Sequence, residues 1–556
     1  MNSHINETTA SGNFVGKSAY DYPLLIKNIL LSPYAYNPDQ EIVFRDTVRI
    51  NYRQFRERVA RLASALIGLG VKPGDTVAVM DWDSHRYLEC YFAIPMIGAV
   101  IHMINIRLSA EQLIYTITQA EDKIIMVNPD FLPVLEHIKG RIDTVEHFIL
   151  LDNLLEKPHT SLELSGNYED ILEKCEPLKE FPDFDENTRA TTFFTTGTTG
   201  LPKGVYFSHR QIVLHTITVL GALASPVQKS RFHRGDVYMP ITPMYHVHAW
   251  GIPFVATMLG VKQVFPGKYL PGMLLKLISS EKVTFSHCVP TILNMLLNDP
   301  SSINCDLTNW KVIIGGASLP RAMALAALKR GIDLYCGYGM SETCPILTIQ
   351  QLSEEEHALA PEDRITQIIR TGRPIGLVHV NVTNPQGEAP NDDKSTGEIT
   401  VRAPWLTQGY LKDVSNSDKL WEGGWLHTQD VACRDATGSV RITDRKKDVI
   451  KIGGEWVSSL EIEDILCMHQ GVAEAAVIGC PHSNWGEIPF ALVVVKADVK
   501  IKERELMKHI KKYIDLGLLA RETILTKIKF VSELEKTSVG KINKIELRKK
   551  HLTDCN

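Results

Sequence analysis

Apolar residues at three-to-four spacing mark the first clear element. Tyr52, Phe55, Val59, Leu62, Ala65 and Leu66 predict an amphipathic helix. The turn Lys72-Pro73-Gly74-Asp75 then leads into an apolar strand over 76–80. Helix and strand alternate onward through 84–98, 100–104, 112–120 and 123–127. This is the alternation of an α/β fold whose sheets are covered by helices. The polar, acidic stretch 150–190 reads as a surface connection. Beyond it the pattern predicts a helix over 209–222, strands over 237–241, 283–289 and 311–315, and helices over 291–298 and 318–330, the last with Pro320 in its first turn.

After Gly372 the texture changes to short alternating runs between glycines, over 378–383, 397–402 and 440–443. They predict a small antiparallel, barrel-like unit. From about 444 a helix at 458–469, strands at 472–479 and 490–495, and a helix at 501–516 predict an α+β C-terminal domain of ordinary size. Residues 1–20 read as a loose tail.

Composition adds exclusions. A chain of 556 residues exceeds what one core usually serves. Its 44% hydrophobic and 22% charged content and net charge of −5 fit a globular protein without the basic footprint of a nucleic-acid binder. Ten cysteines without paired spacing predict structural thiols rather than disulfides or zinc ligands. No apolar run reaches a membrane span and the N-terminus is polar, so the expected location is cytoplasmic, with a peripheral membrane contact left open.

The first candidate chemistry lies in 191–209, TTFFTTGTTGLPKGVYFSH. Two extended pieces flank a turn of Thr195, Thr196, Gly197, Thr198, Thr199 and Gly200, followed by Lys203. Glycines let backbone N–H groups converge on an anion, and the hydroxyls and the ammonium add donors, so the ligand implied is a phosphate chain. A surface turn with a solvated lysine fits the residues equally well. The pattern is not the Walker signature, since Gly204 follows Lys203.

The segment TTGTTGLPKG resembles the phosphate loop of the AMP-forming acyl-CoA synthetase and adenylation-domain superfamily, to which firefly luciferase also belongs. Further segments resemble its other signatures in order. Gly337-Tyr338-Gly339-Met340-Ser341-Glu342 is, on residues alone, a tight turn open to a planar ligand. The resemblance implies adenine on Tyr338 and Mg²⁺ on Glu342, with Thr195 as its partner in the phosphate loop. Asp430, in Gly424-Trp425-Leu426-His427-Thr428-Gln429-Asp430, matches the carboxylate that takes the ribose hydroxyls, although Gln429 stands where glycine is usual. Arg445 matches a second ribose ligand, within a charged, hinge-like stretch at 444–449.

Lys451, Gly453, Gly454 and Trp456 are grouped with the cofactor-binding residues, the glycines and the indole along the pantetheine path of coenzyme A. Lys541, in Thr537-Ser538-Val539-Gly540-Lys541, resembles the lysine that reaches the α-phosphate during adenylation; by composition alone it would be a solvated tail residue. The resemblance places His246 near the acyl carboxylate and Trp250 as the indole gate of the medium/long-chain fatty-acid branch. Val247, Gly251, Gly316, Ala317 and Met340 complete an acyl pocket that contains no charged side chain.

The resemblance therefore implies a large domain over 1–443 of layered α/β subdomains plus the antiparallel unit, a hinge at 444–449 and a mobile domain over 450–556. The reaction implied is ATP + carboxylic acid + CoA giving acyl-CoA, AMP and diphosphate, with Lys541, Glu342, Lys203 and His246 as the catalytic set. A medium or long chain is preferred, and a short-chain, aryl or methylthio-propionate acid is the alternative. The partners are these small molecules, with no nucleic acid, and the branch implies a homodimer as one oligomeric form.

Overall fold

The expected first helix runs over Tyr52–Gly68. Asn51 begins it by accepting from the Gln54 N–H while the Gln54 side chain returns to the Asn51 N–H, a reciprocal cap. Its apolar face, with Tyr52, Phe55, Val59 and Leu62, is buried against the helix His85–Met96. The computed structural model describes residues 18–152, 158–195, 201–226, 231–453, 455–497, 499–537 and 541–555.

Two large sheets follow from the α/β alternation. A seven-stranded sheet has Thr76–Met80 at its centre, between Asp122–Val127 and Val100–Met103, and ends in the antiparallel pair Arg189–Thr195 and Lys203–Ser208. Every residue of Thr76–Met80 is buried, as expected for a parallel strand covered on both faces. A nine-stranded sheet is parallel through Glu41–Phe44, Lys262–Phe265, Val237–Pro240, Phe285–Cys288, Lys311–Ile314 and Asp333–Gly339, and turns antiparallel at both edges. Thr195, Gly315 and Gly339 all lie at the carboxyl ends of strands or just beyond them, where open α/β sheets place their ligand crevices.

The antiparallel unit is a five-stranded sheet including His379–Asn384, Gly397–Arg402, Leu426–Arg434 and Val440–Arg445. The smaller C-terminal α+β domain is built on the long hairpin Val472–His482 and Gly486–Val495, with Lys527–Val531 added in parallel and the helices Ser459–Cys467 and Glu503–Asp515 packed on it. Among the described residues no helix is long and apolar enough to cross a membrane.

Three local expectations are corrected. The stretch 150–190 is not only a surface connection, since it contributes the strand Leu164–Asn167 and the helix Tyr168–Lys174. Tyr168 is buried, and Glu169 pairs with Arg58 and Arg86, so acids that read as solvated are held by cations. The helix after Gly315 starts at Arg321, with Pro320 in the extended N-cap position. Among the described residues eight cysteines are free thiols as expected, but Cys480 is disulfide-bonded.

Candidate active site

The hairpin Arg189–Thr195/Lys203–Ser208 sets Thr195 directly across from Lys203. Thr196, Gly197, Thr198, Thr199 and Gly200 lie outside the described residues. Lys203 Nζ stands 4.6 Å from the ring centroid of Tyr410, and the Tyr410 hydroxyl donates to Glu342 Oε1 at 2.7 Å. Glu342 is only 7% exposed. Burial raises its carboxyl above the usual range, and Tyr410, Lys203 and Arg445 pull the other way. Tyr410 was missed in the sequence because an isolated Gly-Tyr pair in a loop carries no signal of its own.

Tyr338 and Asp430 come from different sheets, and the Tyr338 hydroxyl donates to Asp430 Oδ2 at 2.7 Å. Arg445 is the cross-strand partner of Asp430, with Nε 3.4 Å from Oδ1. The glycine beside Tyr338 is compulsory: a Cβ at Gly339 would stand 1.7 Å from the Pro345 carbonyl oxygen. Gln429 occupies a left-handed conformation with φ 62°, which explains why glycine suits that place. Glu398 tethers it, accepting from Gln429 Nε2 at 2.9 Å and holding Lys446 Nζ at 3.2 Å.

Lys541 reaches the same group. Its Cε lies 3.1 Å from where a Cβ would stand on Gly316. Burial and the neighbouring Arg445 lower its ammonium to about 8, while Asp430 and Glu342 act in the opposite sense. Thr537 holds the lysine backbone at both groups: its N–H donates to the Lys541 carbonyl at 2.6 Å, and its hydroxyl accepts from the Lys541 N–H at 3.2 Å. Lys544 does not join the cluster. It is paired with Glu463 at 2.7 Å inside the C-terminal domain.

The segment after Met244 takes an unusual course. Val247, His248, Ala249, Trp250 and Gly251 all have φ between 43° and 74°, a left-handed turn of five residues. Such a course is costly for Val247, so it must be held by its surroundings. Trp250 is 6% exposed, its ring 5.1 Å from that of His287, and its edge approaches Gly315 to 3.1 Å from the Cβ position. Gly251 admits His215, which a Cβ would meet at 2.8 Å. Burial, aided by Lys541, lowers His246 to about 3, so it is a neutral imidazole at pH 7. Ala317 follows Gly316 on an exposed loop, and Met340 and Ser341 lead from Gly339 to Glu342, half-buried.

The remaining expected residues sit on the C-terminal sheet. The Lys451 N–H donates to Glu487, and Gly453, with φ 60°, packs beneath Trp485. Gly454 lies outside the described residues, and Trp456 is placed by its strand Glu455–Val457. The stretch 444–449 is less open than its charge implied. Asp444 is 2% exposed and accepts from the Ser459 N–H and hydroxyl, both at 2.7 Å, and Asp448 is also buried.

Residues 33–411 match the family model described as AMP-binding enzyme, and residues 461–541 match the AMP-binding enzyme C-terminal domain. The chain belongs to the AMP-binding enzyme family. This AMP-binding enzyme is 37% identical to a long-chain-fatty-acid–CoA ligase of Thermus thermophilus, covering 90% of each chain. It is 36% identical to a 3-methylmercaptopropionyl-CoA ligase of Ruegeria lacuscaerulensis, over 95% of this chain and 97% of that one. Among solved structures, ATP-bound MatB from Rhodopseudomonas palustris superposes with a TM-score of 0.80 at 25% identity, over 95% of this chain and 99% of that one. This AMP-binding enzyme is an AMP-forming acyl-CoA synthetase, an acid–thiol ligase.

Proposed function

We propose that the chain is a fatty-acid–CoA ligase preferring medium or long straight-chain acids. The observation that carries this is the turn Val247–Gly251, an apolar wall seated on Gly315 with no charged side chain of its own. An amino-acid substrate would bury an ammonium there without a partner. The relative named for long-chain fatty acids supports the reading. The relative named for 3-methylmercaptopropionate favours a second one, a short thioether acid handled by the same chemistry.

In the first half-reaction a carboxylate oxygen of the acid attacks the α-phosphorus of ATP. The bond to the bridging oxygen breaks, diphosphate leaves and an acyl-adenylate remains. Tyr338 packs on adenine, Asp430 accepts from the ribose hydroxyls with Arg445 beside it, and Lys203 and residues 195–200 hold phosphate oxygens. Lys541 brings its ammonium to the α-phosphate as charge builds there, and neutral His246 borders the acyl carboxylate.

Glu342 and Thr195 would hold Mg²⁺. A single buried carboxylate fixed by Tyr410 fits this ion, which keeps most of its shell as water and phosphate oxygens. Among the described residues no cluster of three His, Cys, Asp or Glu gathers to hold a metal by itself. The ion's contribution, when bound, is to neutralise phosphate charge.

For the second half-reaction the domain over 450–556 rotates about 444–449 against the domain over 1–443. Lys541 withdraws, and Lys451, Gly453, Gly454 and Trp456 come to the pantetheine arm. The thiol sulfur of CoA attacks the adenylate carbonyl, the acyl–phosphate bond breaks and AMP leaves. The buried contacts of Asp444 with Ser459 give this pivot a defined resting arrangement.

The test is CoA-dependent AMP release across straight-chain acids from two to about eighteen carbons, each buried methylene adding about 0.8 kcal/mol until the pocket ends. A rise in kcat/KM with length supports the reading. A peak at the shortest acids, or at 3-methylmercaptopropionate, replaces it with the second.

A further inference from the structure

The left-handed turn at 247–251 must be held from outside itself, and two buried side chains far away in sequence grip Met244, three residues before it. Asp83 lies just beyond the central strand of the seven-stranded sheet and is 3% exposed. Its Oδ1 accepts from the Met244 N–H at 2.8 Å. The Tyr91 hydroxyl, from the helix His85–Met96, donates to the Met244 carbonyl oxygen. Both backbone groups of Met244, two residues before His246, are thus gripped by side chains of the other sheet's layer.

Asp83 is itself fixed from the nine-stranded side. The Tyr269 hydroxyl donates to its Oδ2, and its own carbonyl accepts from the Gly267 N–H at 2.9 Å. The groups that face it are Asp81, Tyr87 and Tyr91 from its own layer and Tyr238, Tyr245 and Tyr269 from the other, none of them a cation. Among the described residues no cation pairs with it, and the carboxyl serves as a hydrogen-bonding clasp at the junction of the two sheets.

We propose that Asp83, with Tyr91, is a positioning residue for the acyl side of the reaction: by fixing Met244 it holds His246 and Trp250 in place and sets which acids are accepted. The proposal rests on the reading of Val247–Gly251 as the acyl wall. Nothing in the clasp touches Tyr338, Asp430 or Glu342, so its loss is felt by the acid and not by ATP. Burial pushes the Asp83 carboxyl up to about 8, which makes the neutral amide of asparagine its nearest substitute.

The experiment compares the full-length parent with Asp83→Ala, Asp83→Asn and Tyr91→Phe, measuring KM for ATP, KM for the acid and the profile over acid length. Tyr91→Phe keeps the ring that stacks on Phe254 and guards against a variant that merely fails to fold. The expected result is a rise of about tenfold in acid KM for Asp83→Ala and a smaller rise for Tyr91→Phe, the order expected when a buried polar group loses its partner. The length optimum broadens or shifts, KM for ATP stays within about twofold, and Asp83→Asn recovers most of the acid affinity. Equal losses toward ATP and acid, or an unchanged length profile in every variant, overturn the proposal. If the parent itself releases no AMP with any acid, it is the functional reading that fails.

Discussion

The Tyr410 hydroxyl donates to Glu342 Oε1 at 2.7 Å while its ring lies 4.6 Å from Lys203 Nζ, so one phenol orders both the carboxylate and the ammonium of the phosphate region. Replacing Tyr410 with Phe keeps the ring under Lys203 and removes only the bond to Glu342. Half-saturating Mg²⁺ and KM for ATP are expected to rise by about three- to tenfold, with KM for the acid little changed. A Mg²⁺ titration at fixed acid checks this, and equal Mg²⁺ dependence in parent and variant counts against the role given to Glu342.

Lys541 gives a pH prediction with opposite signs for rate and stability. The ammonium is the useful form, and burial lowers it to about 8. The kcat/KM for adenylation, followed by acid-dependent exchange of diphosphate into ATP, is therefore expected to fall as pH rises through about 8. Over the window from about 8 to 10.5 the unfolded chain binds the extra proton, so this group's contribution makes stability rise with pH. Lys541→Ala should abolish the alkaline limb of the rate profile along with most adenylation.

Gln429 adopts φ 62° and is tied to Glu398, which also holds Lys446 beyond Arg445. Glu398→Ala frees both flanks of the Asp430–Arg445 pair. The expected outcome is a weaker KM for ATP by about fivefold, with less change for the acid. Gln429→Gly relieves the left-handed strain while losing the tether, so its melting temperature should stay within a few degrees of the parent. A large loss in that variant shows that the tether outweighs the strain.

Gly316→Ala tests the seat of Lys541. A Cβ would stand 3.1 Å from Lys541 Cε and 3.2 Å from Val289 Cγ1, at a φ of 77°. The lysine end can move aside at little energetic cost, but it moves off its target. Adenylation is expected to drop by about tenfold or more, while thioester formation from supplied acyl-adenylate falls much less. Separate assays of the two halves decide it; equal losses in both would point to misfolding instead.

The sequence made the architecture legible and supplied most of the candidate site residues, for different physical reasons. Periodicity revealed elements whose burial is one-sided, such as Tyr52–Gly68, and continuous apolar runs such as Thr76–Met80. It failed at Leu164–Asn167 and Tyr168–Lys174, where Glu169, which reads as a free surface acid, is half-buried and paired with Arg58 and Arg86. Candidate site residues carried by contiguous motifs, such as Tyr338, Asp430 and Lys541, stand out in order along the chain, and the fold brings them together. Tyr410 and Asp83 were not, because each acts through a partner distant in sequence, and spacing along the chain says nothing of such pairs. The left-handed course of 247–251 was hidden too, since only Gly251 has the residue type that announces it.

Gly315 and Gly316 are adjacent seats on one stretch of backbone. The Trp250 indole packs where a Cβ of Gly315 would stand, and the Lys541 side chain where a Cβ of Gly316 would. Whatever displaces the indole presses on the same strand of peptide that seats the ammonium. On the proposed roles of Trp250 and Lys541, breadth of substrate and speed of activation are not separate dials: cutting Trp250 back to admit bulkier acids is expected to unsettle the lysine seated on the neighbouring glycine, and a generous variant should be a slow one.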